Sequence, residues 1–253
     1  MPSQPFLSII LPSYNEAKNF HRNVLDDVYA YLQKQPYSWE LVLSDDGSSD
    51  GTIELLEKFA RGKENIAILK NAHAGKGPTV TKGMLAATGK YRLFTDFDQS
   101  TPLSEVVRAL DCLRSDESDI VIGSREVRGA LRAKEPFHRH LMGRGFNLMV
   151  QLLAVPGILD TQCGFKLFSQ RATEMLFPSL VIYGQDQQRS DAYTGAFDVE
   201  LLFLARKKGL KVTEMPVQWA HFESDRVSPI KDSLRMFRDI IRIRIAWLTG
   251  QYA

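Results

Sequence analysis

Asp96-Phe97-Asp98 closes the apolar run Tyr91-Arg92-Leu93-Phe94-Thr95. In an extended segment alternate residues share a face, so both carboxylates reach one divalent cation. All-oxygen ligands suit Mg²⁺ or Mn²⁺, and such a cation also holds a diphosphate. Taken alone, Asp-x-Asp is more often a solvated turn; its place after a buried strand reverses that balance in favour of the ligand. A second cluster is Asp45-Asp46-Gly47-Ser48-Ser49-Asp50-Gly51-Thr52. One aspartate there explains a turn or a helix cap. Two adjacent ones suggest a ligand, such as a base N–H or a ribose hydroxyl. Gly75-Lys76-Gly77 lacks the full Gly-x-x-x-x-Gly-Lys-Ser/Thr phosphate loop. A helix entry with one cation beside it still suits a phosphate. Nucleophilic hydrolysis is disfavoured, because no Gly-x-Ser-x-Gly elbow occurs. His138, His140 and His221 lack partners at zinc spacing, and Cys112 and Cys163 stand alone as reduced thiols.

These groups need strands to carry them. Residues 7–12, 39–44, 65–70, 91–95 and 120–122 read as strands. Between them lie helical patterns: from an N-cap at Asn15 to about Leu32, then one with Ile53, Leu56 and Phe59 on one face. A third follows Gly75, with Val80, Met84 and Ala87 inward, and a fourth runs from Pro102 to Leu113. Strands alternating with helices predict an α/β chain with a mostly parallel central sheet flanked by helices. Polar clusters follow strands one, two and four, at the carboxyl ends where such sheets bind ligands. Beyond residue 124 the pattern changes: 125–144 is basic, 145–155 is an apolar helix and 183–195 is a polar loop.

The chain has 253 residues, with 32 Lys+Arg against 30 Asp+Glu, 44% apolar and 25% charged. That is an ordinary globular composition, and the mean hydropathy is −0.20. We read one domain, with residues 1–124 as a nucleotide half and 125–253 as an acceptor half. The longest uncharged stretch, 145–159, is broken by Pro156. A spanning helix needs roughly 18 apolar residues, so none is expected, and residues 1–5 lack the features of a signal peptide. The near-neutral charge argues against a nucleic-acid polymer as partner. Residues 231–248 carry Leu234, Phe237, Ile241, Ile245 and Leu248 on one helical face, with Arg235, Arg238 and Arg242 beside them, Lys231 behind and Trp247 as an interfacial aromatic. An apolar face beside a basic stripe predicts peripheral, salt-sensitive membrane contact, the alternative being a core helix with solvated arginines.

In combination these residues resemble the inverting family 2 glycosyltransferases. Leu11-Pro12-Ser13-Tyr14-Asn15-Glu16, the Asp45–Thr52 run and Asp96-x-Asp98 fall in that family's order. Gly123-Ser124-Arg125, Asp160-Thr161-Gln162-Cys163-Gly164-Phe165-Lys166-Leu167-Phe168, Ala196-Phe197-Asp198-Val199-Glu200-Leu201-Leu202 and Trp219-x-His221 resemble its dolichyl-phosphate glucosyltransferase branch. The resemblance implies a Rossmann-like fold of the glycosyltransferase A type. It implies transfer of glucose from UDP-glucose to a polyprenyl phosphate, at the cytoplasmic face of a membrane. By position, Pro12, Tyr14, Glu16, Asp45 and Asp46 would hold base and ribose, and Lys76 a phosphate. Asp96 and Asp98 would hold Mg²⁺ or Mn²⁺ and the diphosphate, with Arg226 nearby. Arg125 and Arg139 would hold the acceptor phosphate, and Asp160 stands where related polyprenyl-phosphate enzymes carry an active-site aspartate. Relatives that use mannose often have Gln two residues after the second metal carboxylate; here Ser100 stands there, after Gln99. GDP-mannose as donor, or a non-catalytic nucleotide-sugar-binding protein, are the alternatives.

Overall fold

The computed structural model describes residues 4–115, 117–132, 145, 147–184, 195–220 and 229–252. The strands are β1 (Leu7–Ser13), β2 (Trp39–Asp45), β3 (Ile66–Lys70), β4 (Tyr91–Thr95), β5 (Ile120–Ser124), β6 (Leu131–Arg132), β7 (Phe165–Ser169), β8 (Val212–Pro216) and β9 (Gln218–Trp219). Seven form one sheet in the order β3-β2-β1-β4-β7-β5-β8, and β6 pairs with β9 apart from it. All pairings in the large sheet are parallel except those of β7, which runs antiparallel to both β4 and β5.

Both faces of this sheet are covered, which explains the nearly continuous apolar runs of β1, β4 and β5. The alternation of side chains splits them between two cores. Ile10, Val42, Phe94, Ile122 and Phe168 face one layer. It holds α3 (Lys76–Ala86), α5 (Gln170–Leu176), α6 (Phe197–Lys207) and α7 (Pro229–Leu248), helices whose buried residues join that core. Ile9, Leu11, Leu41, Leu43, Leu93, Val121 and Leu167 face the other. There lie α1 (Val24–Gln33), α2 (Thr52–Ala60) and α4 (Val106–Ser115).

Three expectations change in detail. The first helix does not start at Asn15: that residue and Asn23 both take positive φ, a short 3₁₀ turn spans Ala17–Arg22, and α1 begins at Val24. Pro102 precedes a 3₁₀ turn, Leu103–Glu105, and α4 follows from Val106. The apolar helix expected over 145–155 is helical at 145 and 147–153 and ends before Ala154.

α7 packs through Ile240, Ile243 and Ala246. The five apolar residues predicted to share a face are all exposed: Leu234 67%, Phe237 42%, Ile241 37%, Ile245 52% and Leu248 77%. The helix thus packs on the core with Arg238 and Arg242 exposed, but through other residues than the five of the expected stripe. Trp247, expected as an interfacial aromatic, is partly buried and meets the Phe203 ring edge-on at 5.8 Å. No described helix is long and apolar enough to cross a membrane.

Candidate active site

The β1 and β2 ends are tied together. Ser13 pairs in register with Asp45, and its hydroxyl donates to Asp45 Oδ2 at 2.8 Å. Asp45 also accepts from the Ser48 backbone N–H and hydroxyl. Asp46 is buried and accepts from the N–H groups of Ala74 and Gly75, the Thr79 hydroxyl and a ring nitrogen of His73. A carboxylate has about four lone-pair sites; Asp46 fills its sites with the protein's own donors, and Asp45 fills three. They fix the loop from which α3 starts. Tyr14 stacks on His73, with centroids 4.4 Å apart and 15° between planes. Glu16 is buried and its backbone N–H donates to the Thr52 hydroxyl. Pro12 is buried at the end of β1.

At the end of β4, Lys76 of α3 reaches Asp96, Nζ to Oδ1, at 2.5 Å. Burial disfavours the Lys76 ammonium, but the Asp96 and Asp198 carboxylates outweigh it and raise its pKa. Asp98 shows the converse: burial, then the like charge of Asp96, raises its pKa. Two carboxylates held together against repulsion are suited to a divalent cation. Gln99, at φ 54°, donates from Nε2 to the Asp96 carbonyl, and its Oε1 is buried with no hydrogen-bond partner. The donor set thus fits a hard cation. Among the described residues no group of three or more His, Cys, Asp or Glu could hold a metal. The protein supplies two carboxylates, and water and a bound diphosphate would complete the shell.

At the end of β5, Arg125 grips Asp160 as a fork, Nε to Oδ2 at 2.7 Å and Nη2 to Oδ1 at 2.9 Å. The Arg125 backbone N–H adds a third contact to Asp160, and Trp219 lies beneath the guanidinium at 5.3 Å. Burial opposes the Asp160 charge, yet Arg125 outweighs it and holds the carboxyl below its ordinary range. From Asp160 the chain runs to Gly164, whose carbonyl accepts the Asp96 N–H at 3.0 Å. Between them, burial pushes the Cys163 thiol up to about 11, which removes it as a nucleophile. The Arg125–Asp160 pair and the Asp96 end are therefore neighbours. Arg139, Arg226 and the three histidines at 138, 140 and 221 lie outside the described residues, as does the Lys231 side chain.

Gly164, Lys166 and Asp198 belong to this neighbourhood although no role was assigned to them from sequence. A Cβ on Gly164 would fall 1.9 Å from Asp96 Oδ2. Lys166, fully buried, pairs with Asp198 at 2.5 Å. The available signal was a single lysine inside the apolar run Phe165-Lys166-Leu167-Phe168, since a buried charge requires a partner.

Residues 8–177 match the model of glycosyl transferase family 2. A dolichyl-phosphate beta-glucosyltransferase of Dictyostelium discoideum is 36% identical over 97% of this chain and 76% of its own length. One of Saccharomyces cerevisiae is 33% identical over 98% and 76%. Among solved structures, glucosyl-3-phosphoglycerate synthase from Mycobacterium tuberculosis with Mn²⁺, UDP-glucose and phosphoglyceric acid superposes at a TM-score of 0.65. It is 17% identical, over 96% of this chain and 79% of that one. The chain belongs to glycosyl transferase family 2. It is a glycosyltransferase with a sheet of the glycosyltransferase A type, similar to the dolichyl-phosphate beta-glucosyltransferases.

Proposed function

We propose that this enzyme transfers glucose, with inversion, from UDP-glucose to a polyprenyl phosphate of the dolichyl kind. The observation that carries this reading is that Asp96, Asp98 and Lys76 gather at the end of β4 while the Arg125–Asp160 fork stands at the end of β5, the two joined through the segment from Asp160 to Gly164, whose carbonyl accepts the Asp96 N–H. A diphosphate and an acceptor phosphate need such a pair of adjoining sites. The Dictyostelium and yeast relatives supply the glucosyl and dolichyl-phosphate terms, and the mycobacterial structure is one in which this fold holds UDP-glucose with Mn²⁺.

Pro12, Tyr14 and Glu16 border the nucleoside end, with Asp45 and Asp46 shaping the wall behind them. Asp96 and Asp98 hold Mg²⁺ or Mn²⁺, which when bound neutralises charge on the leaving diphosphate. Lys76, and Arg226 from outside the described residues, add positive charge there. Phosphate monoesters have a second pKa near ~6, so the acceptor is largely dianionic at pH 7 and needs no strong base. An acceptor oxygen forms the new bond to the sugar's anomeric carbon as the bond to UDP breaks. Asp160, held below its ordinary pKa, is a poor proton acceptor and serves to orient Arg125. Nε and Nη2 of Arg125 go to Asp160, which leaves Nη1, with Arg139, for the acceptor phosphate.

The acceptor's lipid places the enzyme on a membrane. The exposed stripe of α7, flanked by Arg238 and Arg242, suits the anionic surface of the cytoplasmic leaflet. The test is incubation with radiolabelled UDP-glucose, Mg²⁺ and a polyprenyl phosphate, followed by chloroform extraction. Label in the organic phase with β configuration at the anomeric carbon is expected. Label from GDP-mannose instead would reassign the donor. Tight nucleotide binding with no product from either donor would make the chain a binding protein.

A further inference from the structure

Two motifs of the second half meet behind the Asp96 carboxylate. Lys166, on the antiparallel strand β7, is fully buried. Its Nζ lies 2.5 Å from Asp198 Oδ1 and donates to the Cys163 carbonyl at 2.5 Å. Cys163 precedes Gly164, which leaves no room for a side chain against Asp96 and takes its N–H. Asp198 sits in the first turn of α6. Its neighbour Phe197 lies against Gly77 of α3 and places its ring 6.0 Å from Lys76 Nζ. Lys76 in turn holds Asp96 at 2.5 Å. The charges alternate in sign along Lys166, Asp198, Lys76 and Asp96, drawn from β7, α6, α3 and the end of β4.

A buried ion pair is weak evidence for stability, since apolar residues of like volume often serve as well. A pair of that kind one step behind a ligand-binding lysine points to another purpose. We infer that Lys166 and Asp198 are positioning residues, which together keep the Lys76 ammonium on Asp96 and so shape the diphosphate end of the site. Asp198 lends the Lys76 ammonium a second negative charge beside that of Asp96, against the cost of its burial. Lys166 is the partner that a buried carboxylate at Asp198 requires. Without Asp198, whether alone or together with Lys166, Asp96 is left to hold the ammonium by itself. The consequence for donor binding rests on the function proposed above.

The test compares Asp198→Asn, Lys166→Met, the double variant Lys166→Met/Asp198→Leu, and Lys76→Met. The single changes leave a buried group unpaired and lower the melting temperature. The double change restores it, so that any remaining defect is not one of folding. In the ligand-free crystal structure of the double variant, Lys76 Nζ is expected to have left Asp96. Calorimetric titration with Mn²⁺ and UDP is expected to show affinity weaker by about tenfold, the size of one charge-assisted contact. In a Lys76→Met background, Asp198→Asn should then add no further loss. A stable double variant that keeps Lys76 on Asp96 and binds UDP like the wild type would overturn the assignment, as would additive losses. A wild-type protein that binds no UDP would overturn the donor reading alone, because the position of Lys76 in the variant crystals still decides this one.

Discussion

Arg125 and Asp160 are joined by two parallel N–H···O contacts, 2.7 and 2.9 Å long, at a place where the Asp160 carboxylate is almost wholly buried. Two residues expected from sequence to act separately are thus one unit. Such a pair is expensive to break on one side, because the survivor keeps its charge without a partner.

Arg125→Ala is therefore expected to destabilise the fold by about 3–5 kcal/mol, and the further change Asp160→Ala to recover part of that. Chemical denaturation measures both. Acceptor use should remain impaired in the recovered double variant, by about 1.5–3 kcal/mol for the lost phosphate contact, with UDP affinity unchanged. A double variant with normal acceptor dependence would remove Arg125 from the acceptor site.

The pair also sets an acid limit. Asp160 titrates below its ordinary value in the folded state, so the folded protein binds fewer protons there than the unfolded chain. The resulting stability is fully present above the unfolded pKa of about 3.9. It is lost as pH falls through the lower folded value. In Arg125→Ala the guanidinium is gone, the backbone N–H of residue 125 and Lys166 remain against burial, and the carboxyl's pKa rises, so that less stability depends on its ionisation. Relative to a variant with Asp160→Asn, melting temperature followed from pH 7 to 3 should fall in the wild type and fall less in Arg125→Ala.

Asp98 predicts the opposite relation of stability and function. Burial and Asp96 both work against its charge. Asp98→Asn relieves that repulsion while its carbonyl can still accept the Ser100 N–H seen at 2.9 Å. Melting temperature should hold or rise, and Mn²⁺-dependent transfer should vanish. Transfer near the wild-type rate at limiting Mn²⁺ would contradict the cation site.

Gly164→Ala should act on the same end by shape alone. The added methyl would meet the Asp96 carboxylate at 1.9 Å, far inside contact distance, so Asp96 must move. Donor affinity is expected to drop at least tenfold, with the acceptor dependence unaltered, as judged by separate titrations of the two substrates.

On α7, exposed and buried apolar residues should separate cleanly. Replacing Leu234, Ile245 and Leu248 by Ser leaves melting temperature unchanged and abolishes flotation with anionic liposomes. Ile240→Ala, at a fully buried position, costs about 2–5 kcal/mol and leaves flotation intact below the melting temperature. Equal flotation of the Ser variant would move the membrane contact elsewhere.

Much of this was legible from residue pattern. β1 to β5 announced themselves as apolar runs, and Asp96 and Asp98 were found because a polar pair followed one of them. β7 was not, since Lys166 interrupts its apolar run and the pairing partner of that lysine lies 32 positions on, at Asp198. β8 reads Val-Thr-Glu-Met-Pro, too polar to distinguish from a loop. Its Glu214 accepts the Leu159 and Asp160 N–H groups, a long-range tie with no local signature. Asn15 misled because an asparagine before a helical pattern is a good N-cap, whereas here it takes positive φ and crosses to Ser48 and Ser49.

The antiparallel strand has a consequence for synthesis. β4 and β5 are neighbours in sequence but not in the sheet: β7 lies between them and leaves the ribosome roughly forty residues after β5 ends. A nascent chain that has emerged only through Ser124 holds Asp96 at the rim of an unfinished sheet, with strand edges open to wrong partners. Docking of β7 delivers Gly164 and Lys166 in the same event that closes the gap. The Asp96 end of the sheet is therefore completed only when β7 arrives, and a translation product that ends before β7 lacks it.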